Sequence, residues 1–248
     1  MADVVDHLVA NDDSEMKVMS MLRVSDAQSV IVDEDALRTG GPDELAGPFA
    51  HVVVDEAQEL TDAEWQMILL RCPSRSLTIV GDRAQARHGF AESWHDRLER
   101  VGLDRVGLAS LSINYRTPAE VMAEAEPVIR AALPDANVPV SVRSSGVAVE
   151  HAPVGDLGRV LGTWLAEHPE GTACVIAVEP VDLGEVGLGV AGASGRIRSL
   201  SPELSKGLEF DLVVLVDPAS YGDGVEGAVD RYVAMTRATQ RLVVLTSG

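Results

Sequence analysis

Lysine is almost absent from this chain: only Lys17 and Lys206 occur in 248 residues. Lys and Arg together number 20 against 39 Asp and Glu, a net charge of -19. Affinity for a phosphate backbone rests on basic side chains, so nucleic acid is disfavoured as a main partner. Aromatic residues are 4% of the total, and aliphatic side chains must therefore fill the core that a 46% hydrophobic content supplies. The two cysteines, Cys72 and Cys174, have no CxxC or histidine-rich company. That excludes a disulfide framework and a cysteine metal centre, and fits reduced core residues of a cytoplasmic protein. No apolar run reaches membrane length, and the start Met1-Ala2-Asp3 lacks a basic region ahead of an apolar segment, so no membrane span is expected. Internal repeats and low-complexity tracts are missing. So is the pattern G-x-x-x-x-G-K-[ST], whose glycine loop and lysine cradle phosphates.

What is present centres on Ala50-His51-Val52-Val53-Val54-Asp55-Glu56-Ala57-Gln58. The valine run reads as a strand buried on both faces, as in a parallel sheet. Two bare carboxylates cannot lie inside such a strand, because an unpaired buried charge is very costly. Asp55 and Glu56 therefore belong at its carboxyl end, where open α/β sheets bind ligands. One carboxylate there suits a metal-side role and the other a base. Taken alone, the pair is equally an acidic turn after a strand.

Further elements follow in alternation. Short helices are expected around 4–9, 16–22 and 33–37. Thr61-Asp62-Ala63-Glu64 reads as a capping box opening a helix to Arg71. Residues 76–80 form a second buried strand ending at Gly81-Asp82, and Ser93 caps a helix carrying Trp94 and Leu98. Residues 106–111 read as a strand. Thr117-Pro118-Ala119-Glu120 reads as a second capping box, opening a helix to about Leu133. Strands at 147–150, 172–178 and 212–216, helices at 156–167 and 230–237, and a closing strand at 241–245 complete the pattern; 179–195 is glycine-rich and unassigned. The alternation argues for α/β parallel layers, with a boundary near 108–112 and one α/β unit on each side.

Five short segments carry the chemistry: Val54-Asp55-Glu56-Ala57-Gln58, Val80-Gly81-Asp82-Arg83-Ala84-Gln85, Asn114-Tyr115-Arg116-Thr117-Pro118, Ser205-Lys206-Gly207-Leu208-Glu209-Phe210-Asp211, and Tyr232-Val233-Ala234-Met235-Thr236-Arg237-Ala238. In this order they resemble motifs II to VI of superfamily 1 helicases of the UvrD/Rep type. Gln58-Glu59-Leu60 through Trp65, Arg71 through Ser76, and Val142-Arg143-Ser144-Ser145-Gly146 are similar to the HelD/HelR branch, ATP-driven factors that bind RNA polymerase and clear it from nucleic acid. The likeness covers roughly residues 28–248.

The resemblance implies a RecA-like (P-loop NTPase) fold of parallel sheets: an incomplete first unit at 1–109 and a complete second unit at 110–248. It implies ATP and Mg2+ as cofactors. Asp55 would hold the magnesium and Glu56 would activate water. Gln85 would report the γ-phosphate, since an amide both donates and accepts. Arg116 and Arg237 would be arginine fingers, suited by permanent charge and forked donors. After the turn at Gly207, Glu209 would accept from the ribose hydroxyl, and Tyr115 would stack near the base.

Three departures qualify the likeness. The glycine-lysine loop is lacking, and Lys206 cannot replace it because Leu204 and Ser205 precede it. The expectation is therefore half of an ATP site, inactive alone, with the rest on a missing N-terminal part of the same protein. No accessory domain fits between Arg116 and Lys206. Glu203 stands where DNA helicases of the family usually carry His, and an acid facing phosphates is unfavourable. The last two weigh against an ordinary UvrD-type DNA helicase and towards the RNA polymerase-binding branch. A hydrolysis-deficient acidic module that binds RNA polymerase is the alternative.

Overall fold

The computed structural model describes residues 47–87, 90, 92–184 and 195–247. The helices expected at 4–9, 16–22 and 33–37 lie outside the described residues. Residues 50–248 form one compact unit, here the second unit, and it contains the elements that follow.

The centre of the second unit is an all-parallel five-stranded sheet with strands in the order β5-β9-β8-β6-β7. Its members are β5 (Glu150–Pro153), β6 (Ala173–Ile176), β7 (Ile197–Leu200), β8 (Phe210–Val216) and β9 (Ala238–Thr246). The period-2 alternation of a strand sorts their side chains cleanly. Cys174, Ile176, Val213, Leu215, Leu242 and Val244 face one cluster, which includes Val121, Met122, Ala125 and Ile129 of α3 (Ala119–Ala132) and Val229, Tyr232 and Val233 of α5 (Gly224–Thr236). Their neighbours Ala173, Val175, Leu212, Val214, Val243 and Leu245 face the other, with Leu157, Leu161 and Trp164 of α4 (Leu157–Glu167). Both faces are covered, which is why β6 and most of β8 read as unbroken apolar runs. Each buried Val or Leu contributes roughly 1.5–3 kcal/mol, so this doubly covered sheet holds most of the stability.

A smaller α/β layer precedes it. β1 (Val52–Val54) and β2 (Leu77–Ile79) pair in parallel, and α1 (Asp62–Arg71) and α2 (Trp94–Arg100) pack Trp65, Leu69 and Leu98 against them. Thr61 forms the expected capping box with Glu64, and Ser93 caps α2 through the Asp96 amide. The valine run is not buried on both faces: Val53 is 66% exposed. The helices cover one face of this pair only, so the alternate residue projects outward.

Other expectations move. Residues 106–111 carry no regular secondary structure, and the strand falls later, at β3 (Ile113–Asn114), paired in parallel with β4 (Val140–Ser141). The expected strand at 147–150 lies later, as β5. The final strand does not close the sheet, because β5 pairs outside β9. β7 follows the glycine-rich stretch unheralded, having only Ile197 and Leu200 as apolar residues.

The second capping box does not form. Pro118 precedes α3 with no side-chain cap. Glu120 accepts instead from Ser144 Oγ (2.5 Å), Ser145 N (3.1 Å) and Gly146 N (3.0 Å). These donors stabilise the carboxylate better than one amide would. The Ser144 hydroxyl above all, with the loop amides, holds the Glu120 pKa down to about 2, from 4.5. A lowered carboxylate pKa stabilises the fold above its unfolded value and loses that contribution as pH falls through the folded one. Glu120→Gln is therefore expected to lower the urea midpoint at neutral pH and to narrow its gap from wild type as pH drops from 4.5 towards 2.

Glycine is required at one helix start. A Cβ on Gly227 would overlap the carbonyl of Gly222, whereas one on Gly162 in α4 would meet nothing within 4 Å. Gly227→Ala is expected to destabilise by about 1–3 kcal/mol. Gly162→Ala is expected to stabilise by up to ~1 kcal/mol. Chemical denaturation followed by circular dichroism measures both.

Candidate functional site

The carboxyl ends of β1 and β2 turn toward the amino ends of β8 and β9, and polar side chains collect between them. Asp55 leaves β1 exposed, its Oδ1 accepting from the Glu56 amide (2.9 Å). Glu56 has left-handed backbone, φ 51 and ψ 36, a conformation costly for a residue with a Cβ. Ala57 N donates to Val80 O (3.0 Å), tying this turn to β2. Gln58, 5% exposed, donates to Glu56 Oε2 (2.5 Å) and accepts from Asp82 N (3.0 Å). One buried amide thus fixes the carboxylate of one turn and the backbone of the next.

Asp82 in turn positions Gln85. Its Oδ1 accepts from Ala84 N (2.9 Å) and its Oδ2 from Gln85 Nε2 (2.9 Å). Burial raises the Asp82 pKa against these bonds, and the Glu56 charge adds to the rise. Fixing the Gln85 amide nitrogen leaves Oε1 outward, where it accepts from Arg237 Nη2 (3.3 Å). Arg237 ends α5 and is 2% exposed, and its Nε donates to Val233 O (3.0 Å). Burial, with the Arg116 charge next, lowers its pKa to about 10, while Glu56 and Glu209 act to raise it.

Arg116 enters beside α3. Asn114 Oδ1 accepts from Arg116 N (2.8 Å) and Thr117 N (3.1 Å), which shapes the turn. Arg116 Nη1 pairs with Glu209 (2.9 Å), while its Nε is buried without a partner. Gly207 has φ +74, a left-handed turn that glycine adopts readily. Tyr115 is 80% exposed and packs on nothing aromatic among the described residues. The structure therefore brings Glu56, Gln85, Arg116, Glu209 and Arg237 into one electrostatic group. Asp55 lies next to it in sequence at the exposed turn.

Several members were not assigned roles from sequence. Gln58 and Asp82 stand inside the quoted segments, but nothing in sequence separates their hydrogen bonding from that of any loop residue. Lys206 pairs with Glu59 and donates to Gln85 O (2.9 Å), joining the two walls. Arg87 faces Glu203 (2.9 Å), Glu226 (3.4 Å) and Asp230 (3.5 Å). Arg87, Glu203 and Asp230, together with Lys206 and Gln85, line a cavity of about 200 Å³. Phe90 is 1% exposed and tilted against Trp94 at 4.6 Å, a core residue.

Two observations bear on a metal and a nucleotide. Among the described residues no group of three or more His, Cys, Asp or Glu could hold a metal. Magnesium, however, is commonly held by one or two carboxylates plus substrate phosphates and water, and the exposed Asp55 carboxylate is a ligand of that type. The unspent Arg116 Nε beside a buried second guanidinium fits an anion, since two close cations repel until one is supplied.

No helix among the described residues is long and apolar enough to cross a membrane. No family model matches the chain, and no curated protein matches it. Among solved structures, it is similar to the helicase of PRRSV at 20% identity and TM-score 0.44, over 78% of this chain and 34% of that one. Arterivirus nonstructural protein 10 (helicase) matches at 18% identity and TM-score 0.41, over 78% and 38%. The same arterivirus protein in complex with DNA gives 20%, 0.41, 78% and 38%. The chain thus spans little more than a third of these proteins.

Proposed function

We propose that residues 50–248 carry half of the ATP site of a RecA-like, superfamily 1 helicase-type motor of the HelD-like kind, with 50–109 and 110–248 contributing facing walls. The observation that carries this reading is Arg237: a buried guanidinium bonded to Gln85, beside a second guanidinium and facing Glu56.

The chain's own residues supply positioning and charge. Asp55 would hold Mg2+ with phosphate oxygens. Glu56, oriented by Gln58, would take a proton from the attacking water. Arg116 and Arg237 would stabilise charge on the transferred phosphate, a contribution worth ~10³–10⁵ in rate in related phosphoryl transfers. Gln85 would sense that phosphate through its bond to Arg237. Glu209 and Tyr115 would meet the ribose and base, Glu209 first releasing Arg116. When bound, Mg-ATP supplies the phosphoanhydride whose terminal bond water cleaves.

The sequence lacks the glycine-lysine loop, so the isolated chain is expected to bind Mg-ATP weakly and to turn none over. Phosphate release by wild type and Glu56→Gln should be equal and at background. Magnesium-dependent turnover abolished by Glu56→Gln would contradict the half-site, and no detectable Mg-ATP binding would contradict the site itself.

A second reading is supported by the internal pairing of the cations. Arg116 with Glu209, Lys206 with Glu59 and Arg87 with three acids give these three cations acidic partners without nucleotide. On that reading the chain is a hydrolysis-deficient acidic module that binds basic surfaces of RNA polymerase. Recovery of core polymerase on immobilised chain tests it, and none recovered at low salt contradicts it.

A further inference from the structure

The loop between β2 and α2 belongs to one wall by sequence and to the other by packing. Ile79 and Trp94, on either side of it, pack with the cluster over β1 and β2. Ala84, in its middle, is fully buried and lies in the other cluster, with Val121 and Met122 of α3 and Tyr232 and Val233 of α5. Gln85 is therefore carried by a segment of the first wall that is docked into the second.

Ionic contacts fasten the same segment. Arg83 Nη1 pairs with Asp135 (2.9 Å), and Lys206 donates to Gln85 O (2.9 Å) while pairing with Glu59. Arg87 ends the series. Its Nη1 pairs with Glu203 (2.9 Å), and its Nε lies 3.4 Å from Glu226 and 3.5 Å from Asp230 without a hydrogen bond. Glu226 and Asp230 are one turn apart on α5, so both carboxylates face one guanidinium. The Asp230 side chain is only 11% exposed, and a carboxylate with so little water is strongly dependent on a cation beside it. These groups line the 200 Å³ cavity, so charge spans this part of the junction where packing does not.

We propose that Arg87 with Glu203, Glu226 and Asp230 is a latch that holds the two walls together and slows the entry of nucleotide. The effect on entry rests on the ATP reading of the site; the latch itself does not. Arg116 is bonded to Glu209 and Arg237 to Gln85, so a phosphate reaches these guanidinium groups only as those bonds exchange and the walls part. A protein held mostly in a form that cannot bind loses apparent affinity by that fraction. Releasing the latch therefore speeds the entry of Mg-ATP.

Two measurements on the whole chain test this: hydrogen exchange, and stopped-flow binding of a fluorescent ATP analogue with magnesium. Arg87→Ala removes the cation. Glu203→Gln combined with Glu226→Gln removes the two outer acids and leaves Asp230 its buried partner, which guards against a variant that does not fold. The Gln85 and Ala86 amides donate only within the loop, to Asp82 O (3.0 Å) and Arg83 O (3.2 Å), so their exchange reports its loosening. Both variants are expected to exchange about tenfold faster there, with 210–216 unchanged, and to bind the analogue about fivefold faster or more. Unchanged exchange at these amides would overturn the latch. Faster exchange with slower or equal association would overturn its effect on entry and leave a structural tie. Failure of wild type and both variants to bind the analogue would refute the ATP reading, and the exchange result would still decide the latch.

Discussion

Arg237→Met is expected to weaken Mg-ATP binding about 10- to 100-fold, the equivalent of a charge-assisted hydrogen bond worth roughly 1.5–3 kcal/mol. It is expected to leave the fold at least as stable as wild type. Both parts follow from where the guanidinium sits. It is buried at 2% exposure, bonded to a neutral amide and carbonyl, and has another arginine beside it. A pKa lowered to about 10 reports that burial and the Arg116 charge disfavour its cationic form there. A buried charge held against such opposition is a poor source of stability, and methionine of similar length removes the charge while keeping the packing. A large loss of stability with unchanged nucleotide affinity would show that Arg237 serves the core alone. Titration of a fluorescent ATP analogue beside urea denaturation separates the two outcomes.

Trp65→Ala carries the second large effect. Trp65 is fully buried at 0% exposure, and its cluster includes Val54, Leu69, Leu98, Val101 and Leu103. Removing a buried aromatic costs about 3–5 kcal/mol. That loss falls on a small cluster over a two-stranded sheet, which has little other burial to offset it. The layer carrying Asp55, Glu56 and Gln85 is expected to open while the five-stranded sheet stays folded. Hydrogen exchange would then show protection lost across 52–79 and kept across 210–216 and 238–246. Simultaneous loss in both would mean that the two layers unfold as one.

The contrast between these layers also explains what could be read from the sequence. Leu212-Val213-Val214-Leu215-Val216 announces a strand covered on both faces, and the structure covers both. Val52-Val53-Val54 has the same lettering, yet one face stays open, because β propensity reports fit to a strand and not the presence of a covering layer. Thr61-x-x-Glu64 forms its box. Thr117-x-x-Glu120 has equal spacing, but Glu120 finds hydroxyl and amide donors in the Ser144–Gly146 loop, a long-range competition that no local pattern records. For the same reason the ladder falls at Ile113–Asn114 and not at 106–111. Pairing to Val140–Ser141 decides the position, and local alternation does not.

At the candidate site, residue types and order were legible and contacts were not. Glu56, Gln85, Arg116, Glu209 and Arg237 are marked by position in their segments and lie together. Glu209 pairing with Arg116, Lys206 bridging to Glu59 and Gln85, and Gln58 linking two turns join residues from separate segments, most of them far apart in sequence. Only the assembled fold specifies them.

The central claim, that guanidinium groups from one wall answer acids on the other around a phosphate, is tested most directly by the arginine Nε–H resonances of 15N-labelled chain during titration with Mg-ATP. The account predicts saturable shifts at Arg116 and Arg237 that require magnesium and are lost in Asp55→Asn. Unmoved Arg116 and Arg237 signals, with shifts confined to arginines elsewhere on the surface, would contradict it.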